Sequence, residues 1–348
     1  MSGKLLSIIV PSYNMEAYLP KCLGSLIVDD KDLLQKLDVI VVNDGSKDRT
    51  SEIAHEFEKK YPSVFHVIDK ENGNYGSCIN AALAVAQGKY VKVLDADDWF
   101  ETNNFQSFLF ELQNATEDVI LTDYDLVDLN DKVIESHREI VDIGTYTISQ
   151  WSDEFCRNLA MHAVTYRLAL LKQIDYRQTE GISYTDQEWV YMPMSQVSTC
   201  RYISILVYKY VIGREGQTCS PVQRMKQVGV EVQITCGILR YYLQYEGQFH
   251  PDARHYMRTR MLSRVRRIYS YFLLEYRKAL LEKDLATYDQ CVKELSSQIY
   301  DKVGDVELSS KLHFHFIREW REKRSRNTFK FLVFLAYVKV MRLLSRLF

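Results

Sequence analysis

The sequence predicts an α/β fold with a mostly parallel sheet and flanking helices, followed by an α-helical C-terminal region. Three observations predict it. Short apolar runs rich in β-branched residues alternate with amphipathic stretches through the first 125 residues, as buried parallel strands alternate with crossover helices. Several of those runs end in polar clusters, as expected where strands deliver residues to a ligand-binding edge. Beyond about Pro221 the apolar spacing becomes helical, with Met225, Val228, Val232, Leu239, Tyr242 and Leu243 on one face and Leu262, Val265, Tyr269, Phe272 and Tyr276 on another.

The elements follow in order. Leu5 to Val10 reads as a first strand, and Ala17 to Leu26 as a helix. Leu37 to Val42 and Val64 to Ile68 are strands on either side of a helix at Arg49 to Lys60. Ser77 to Gln87 is a third helix, with Gly88 as its expected C-terminal cap. Tyr90 to Leu94 is a strand, Val119 to Thr122 another, and Ile203 to Ile212 a later one. A boundary near 220 separates residues 1–220, themselves split into 1–98 and 99–220, from a helical region at 221–348.

Composition bounds the function. Of the 348 residues 47% are apolar, enough for a sizeable core. The net charge of −2 hides an asymmetry: residues 1–200 carry −15 and residues 201–348 carry +13. An acidic half can concentrate cations, and a basic half can face phosphates or an anionic membrane. No nucleic-acid-binding module is evident, which disfavours nucleic acid as the partner of the basic half. Seven widely spaced cysteines without a C-x-x-C pair argue for free thiols in a reducing compartment. The N-terminus has no long apolar segment before Pro11, so a cytoplasmic location is expected.

The strand ends carry the chemistry. The first strand runs into Pro11-Ser12-Tyr13-Asn14, the second into Asn43-Asp44-Gly45-Ser46, and the fourth into Asp95-Ala96-Asp97-Asp98. Three carboxylates within four residues repel one another. A hard divalent cation, Mn2+ or Mg2+, would give the cluster a purpose; a solvated acidic turn or a helix cap is the plainer reading.

With VPSYN at 10–14, VNDGSKDRT at 42–50, NGNYGSCINAALAVAQGKYVKVLDADDW at 72–99 and YTDQEW at 184–189, the chain resembles glycosyltransferase family 2 over residues 5 to about 218. That resemblance implies a GT-A fold and inverting sugar transfer from a nucleotide-sugar. Pro11, Tyr13 and Asn14 are implied at the nucleoside pocket, and Asp44 on the base, usually uracil. Asn74, Gly76 and Asn80 belong to a segment implied to pass under the ribose and diphosphate. Asp95, Ala96 and Asp97 form the D-x-D element, with Asp97 as direct metal ligand and Asp95 on the ribose or a metal-bound water. Asp98 would ligate or stand behind the ligands. Asp186 matches the catalytic base, with Glu188 as the alternative base and a helix N-cap as the structural reading. Arg214, in the segment ending at Thr218, would meet the diphosphate. His162 falls between the donor and acceptor pockets.

The expected activity is therefore a metal-dependent glycosyltransferase moving a sugar from a UDP-sugar to a saccharide or lipid-linked acceptor, in cell-surface polysaccharide synthesis. A nucleotidyltransferase or a non-catalytic nucleotide-sugar-binding protein is the alternative. The last 31 residues begin with a basic cluster (Arg318, Arg321, Lys323, Arg324, Arg326) and continue into an apolar run at 329–338. That run is too short to span a bilayer, which takes roughly 20 residues. Residues 318–348 suit peripheral contact with the inner face of the cell membrane, or packing on protein. A homo-oligomer is left open.

Overall fold

The computed structural model describes residues 3–138, 144–214, 227–275, 282–305, 314–325 and 328–344. The expected boundary at 220, residues 215–218 of the segment after the last strand, Cys219, Tyr276, Arg326 and Arg346 lie outside them. The chain divides into two compact units. One comprises Met1–Val230 with Tyr245–Thr259, the other Glu231–Gln244 with Arg260–Phe348.

The first unit is built on one ten-stranded sheet. Strands β1 (Leu6–Ser12), β2 (Leu37–Asp44), β3 (Phe65–Lys70) and β4 (Tyr90–Val93) are mutually parallel, in the order β3-β2-β1-β4. All residues of β1, β2 and β4 are buried, which explains why these strands are mostly apolar, with Ser7, Asp38 and Lys92 as buried polar exceptions. The second half of the sheet is mixed. It adds β5 (Trp99–Phe100), β6 (Val119–Val127), β7 (Val133–His137), β8 (Gly144–Thr147), β9 (Val164–Arg167) and β10 (Thr199–Val211). Four-residue β9 lies antiparallel between β4 and β6, and β6 pairs in parallel with β10.

Helices α1 (Leu19–Gly24), α2 (Lys31–Gln35), α3 (Thr50–Lys60), α4 (Asn74–Val85), α5 (Thr102–Gln113), α6 (Asp153–Asn158), α7 (Leu168–Gln173) and α8 (Asp186–Trp189) complete this unit. Gly88 does not cap α4, which ends at Val85 with Ala86 in an extended conformation. It is glycine for packing. A Cβ there would sit 2.3 Å from the Ser7 amide nitrogen and 2.6 Å from the Tyr90 carbonyl oxygen. Beside it the buried Asp38 carboxylate accepts from Ser7 Oγ and the Gln87 amide, closing the sheet edge opposite the polar strand ends.

The second unit is helical. Its core centres on buried Asp289, which accepts from Tyr269, Arg321 and Arg324. The Arg321 guanidinium lies 3.4 Å over the Tyr300 ring. A buried carboxylate is tolerated because it is paired and hydrogen-bonded. The unit's last described helix is Phe329–Leu344. Among the described residues no helix is long and apolar enough to cross a membrane.

Candidate active site

The carboxyl ends of β1, β2 and β4 open onto a cleft of about 350 Å3. The loops forming it are locked by side chains. Asn14 adopts a left-handed conformation (φ 53°), which asparagine tolerates better than most residues. Its amide donates to Ser46 Oγ, and its Oδ1 accepts from the Lys47 amide. Asp48 accepts from the Glu16 and Thr50 amides, and Glu16 accepts from Arg49. The Met15 amide donates to Thr50 Oγ1 at 2.7 Å. These reciprocal bonds satisfy the turn's own amides.

Asp44 is fixed in the same way. Its Oδ1 accepts from Lys70 Nζ (2.7 Å) and the Gly73 amide (2.9 Å), and its Oδ2 from the Asn74 amide (2.9 Å). The carboxylate thus anchors the start of α4 while lining the cleft. Asn74 is left-handed as well, at φ 65°. Pro11, Tyr13 and Met15 line the same wall, and Tyr13 is 47% exposed.

The opposite wall holds Asp95, Ala96, Asp97, Tyr210 and Arg214. Asp95 accepts from the Tyr75 hydroxyl at 2.8 Å. Burial, with the neighbouring charge of Asp97, pushes the Asp95 carboxyl up to about 7. Asp186 adds to that shift and also raises Tyr75, so its charge reaches the same corner. Asp97 pairs with Arg214 at 2.9 Å, and the guanidinium leans over the Tyr18 ring. Asp98 faces away. Its two oxygens take the Val211 amide (2.8 Å) and the Tyr208 hydroxyl (2.7 Å), tying the acidic turn to β10. The Tyr208 oxygen in turn accepts from the Asp95 amide.

His162 is packed behind Asp95. Its ring stacks on Tyr210 at 4.2 Å and meets the edge of Tyr208 at 4.8 Å. Burial, then the nearby Lys92 charge, lowers it to about 3. Its Nδ1 is buried with no hydrogen-bond partner. Lys92, fully buried in β4, donates to the His162 and Val164 carbonyls, and burial lowers it to about 7.

Asp186 opens α8, a short helix with no side-chain cap at Thr185. The residue before Thr185, Tyr184, is left-handed at φ 62°, an outlier for a bulky side chain. The helix is held from several sides. Tyr166 and Tyr256 donate to the Trp189 and Val190 carbonyls. Glu188 is buried, and both its oxygens are taken by Thr179. It fastens the 178–180 loop rather than facing the cleft. Asn80 bonds to Gln178 and Glu180 in the same loop. Gly76 is where α4 meets that loop: a Cβ would fall 2.0 Å from the Thr179 carbonyl oxygen. The close approach expected of Gly76 is thus to the chain's own backbone.

The structure therefore brings Pro11, Tyr13, Asp44 and Asn74 together with Asp95, Ala96, Asp97 and Arg214 around one cleft. Asn14, Gly76, Asn80, Asp98 and Glu188 support it from outside. Tyr75 and Lys92 were given no role from the sequence, and Tyr208 and Tyr210 entered only as members of the segment ending at Thr218. A lysine inside an apolar strand three residues before an acidic cluster was the one signal available.

The carboxylates suit a divalent cation. Asp95 and Asp97 present hard oxygen donors, and burial, then the charge of Asp97, raises Asp95. Asp95, Asp98 and His162 also place one ligand atom each within 4.8 Å of one another, although both Asp98 oxygens already accept from Val211 and Tyr208.

Residues 7–175 match the family model described as Glycosyl transferase family 2. An uncharacterized glycosyltransferase of Mycoplasma pneumoniae, the MG025 homolog, is 39% identical over 104 residues, 29% of this chain and 34% of that protein. The chain spans about a third of the length of the first curated relatives it matches. Among solved structures, S. aureus TarS 1–349 in complex with UDP-GlcNAc superposes with a TM-score of 0.64 at 19% identity, covering 93% of each chain. The mannosyltransferase PcManGT from Pyrobaculum calidifontis, in complex with GDP-Man and Mn2+, gives 0.50 at 13% identity, covering 87% of this chain and 86% of that one. These likenesses show the GT-A fold.

Proposed function

Because residues 7–175 belong to glycosyl transferase family 2, we propose that this chain moves a sugar from a UDP-sugar to a hydroxyl of a saccharide or lipid-linked acceptor, inverting the anomeric carbon. The observation that carries the reading is the single cleft that joins Asp44 and Asn74 on one wall to Asp95 and Asp97 on the other. The nucleotide-sugars named with TarS and PcManGT support a donor of that class.

Pro11 and Tyr13 pack against the base. A carboxylate oxygen accepts two bonds, so Asp44 Oδ2, beyond its bond from Asn74, receives the imide N–H of uracil. Asp95 and Asp97 would hold Mn2+ or Mg2+. A cation held there would offset the charge developing on the departing diphosphate. Arg214 leaves Asp97 for the diphosphate, whose oxygens match its guanidinium. Asp186 takes the acceptor hydroxyl proton as that oxygen bonds to the anomeric carbon and the bond to the diphosphate breaks. The products are the glycosylated acceptor, UDP and one proton. The acceptor belongs to cell-surface polysaccharide assembly, at the cytoplasmic face of the membrane.

Asp186→Asn tests the base. It should bind UDP as the wild type does and lose transfer by at least ~100-fold. Unchanged transfer would remove Asp186 from the mechanism. A panel of UDP-sugars, read as slow donor hydrolysis, identifies the sugar; hydrolysis of none would sink the donor assignment.

A further inference from the structure

The helix Phe329–Leu344 is apolar on two opposite faces. One face is used inside the second unit. Phe331, Phe334 and Leu335 are buried there. The Phe334 ring lies 4.7 Å from Phe314 and 5.9 Å from Phe316, and Phe331 is 5.9 Å from Phe314. At about 100° per residue these three positions fall on one side of the helix. The other side carries Leu332, Val333, Ala336 and Val340. Leu332 is 51%, Val333 47% and Val340 52% exposed. A helix that meets only water on its outer face is polar there; this one has no polar residue at the centre of that face.

The flanks are basic. Lys330 and Lys339, both exposed, lie about 180° apart around the axis, on either side of the apolar strip. The helix contains no Asp or Glu, and residues 201–348 carry +13 overall. A second copy of the same face would bring lysines together with no acid to pair them. An anionic surface complements both lysines and accepts the apolar centre.

We propose that this face lies on an anionic lipid bilayer, with Leu332, Val333 and Val340 in the boundary between headgroups and acyl chains and the lysines on lipid phosphates. The helix is already fixed to its own unit by Phe331 and Phe334, so it meets the membrane as a preformed ridge. The inference does not depend on the transferase reading, since neither nucleotide nor metal takes part.

Flotation of the full chain tests it, using vesicles of phosphatidylcholine alone or mixed with phosphatidylglycerol, without nucleotide. The wild type should float with the mixed vesicles, and less so as salt is raised. Leu332→Gln with Val340→Gln should lower partitioning at least about tenfold. Lys330→Gln with Lys339→Gln should lower it about fivefold for each lysine. All substituted side chains are exposed, and thermal melting should match the wild type. Failure of the wild type to float, or equal flotation of the Leu332/Val340 variant, would overturn the proposal. So would a dimer in ultracentrifugation that this variant splits while vesicles bind neither protein, because a second copy would then own the face.

Discussion

Two loop clusters at one sheet edge use the same residue types, and their oxygens touch different things. Where residues 13–16 meet 43–50, Asn14, Glu16 and Asp48 each accept a backbone amide, and Asp44 accepts two from the next loop. In the turn at 95–98, Asp95 has a tyrosine hydroxyl and Asp97 an arginine, and neither accepts a backbone amide among the described residues. Asp98, one residue on, does accept one, from Val211. Acids bound to their own backbone hold loops in place, and Asp44 does so while still lining the cleft. Acids bound only to side chains that can swing away remain open to a ligand.

The strongest way to break this comparison is Asp97→Asn. On the proposed role of Asp97 as a cation ligand, the substitution should cut transfer by roughly 1,000-fold, and calorimetry should find UDP binding equally weak with Mn2+ and with chelator. Unfolding stability should barely change, since only the Arg214 contact is lost. Retained Mn2+-dependent UDP binding would show that Asp97 is not an open acid.

Asp98→Ala should do the reverse. It strands the Val211 amide and the Tyr208 hydroxyl, and should cost about 3 kcal/mol of stability in urea titration. UDP affinity per folded molecule should be kept. Lost affinity at unchanged stability would put Asp98 with the ligand-facing acids and end the distinction.

That distinction could not be read from the chain itself. Strands β1, β2 and β4 were legible because they are buried on both faces and so mostly apolar, while half-exposed β3 showed through its β-branched run. The cleft was legible because their ends carry polar clusters, and Pro11, Tyr13, Asp44, Asp95 and Asp97 do line it. What was hidden depends on contacts far along the chain. Asp98 reaches Val211, Asn80 reaches Gln178 and Gly76 meets Thr179, and none of these pairings leaves a periodic trace. Strand β9 was missed because four residues reading Val-Thr-Tyr-Arg carry too little pattern to identify a strand.

Gly76→Ala sharpens the boundary between the two clusters. The added methyl must push the Thr179 carbonyl away, at about 2 kcal/mol. The 178–180 loop holds Glu188 in the helix that begins with Asp186. The expected result is a kcat lowered about tenfold with KM for the donor unchanged. A raised donor KM with kcat intact would mean that Gly76 serves the nucleotide instead.

The smallest effect belongs to Lys92, a cation enclosed behind the acidic turn with two carbonyls as partners. Burial lowers it to about 7, below the ordinary lysine value of 10.5. Between those values the unfolded chain binds the proton more readily than the folded one. Stability therefore rises with pH across that window, and the contribution is lost as pH falls through about 7. Lys92→Met removes the group. It should change stability by about 1 kcal/mol or less at neutral pH, because relief from burying an amine offsets the lost bonds, and it should flatten the rise above pH 7. Urea unfolding of both proteins across the window decides the matter. A parallel pH dependence in the two would show that Lys92 titrates as a solvated lysine does, and that the ground behind the acidic turn is wet.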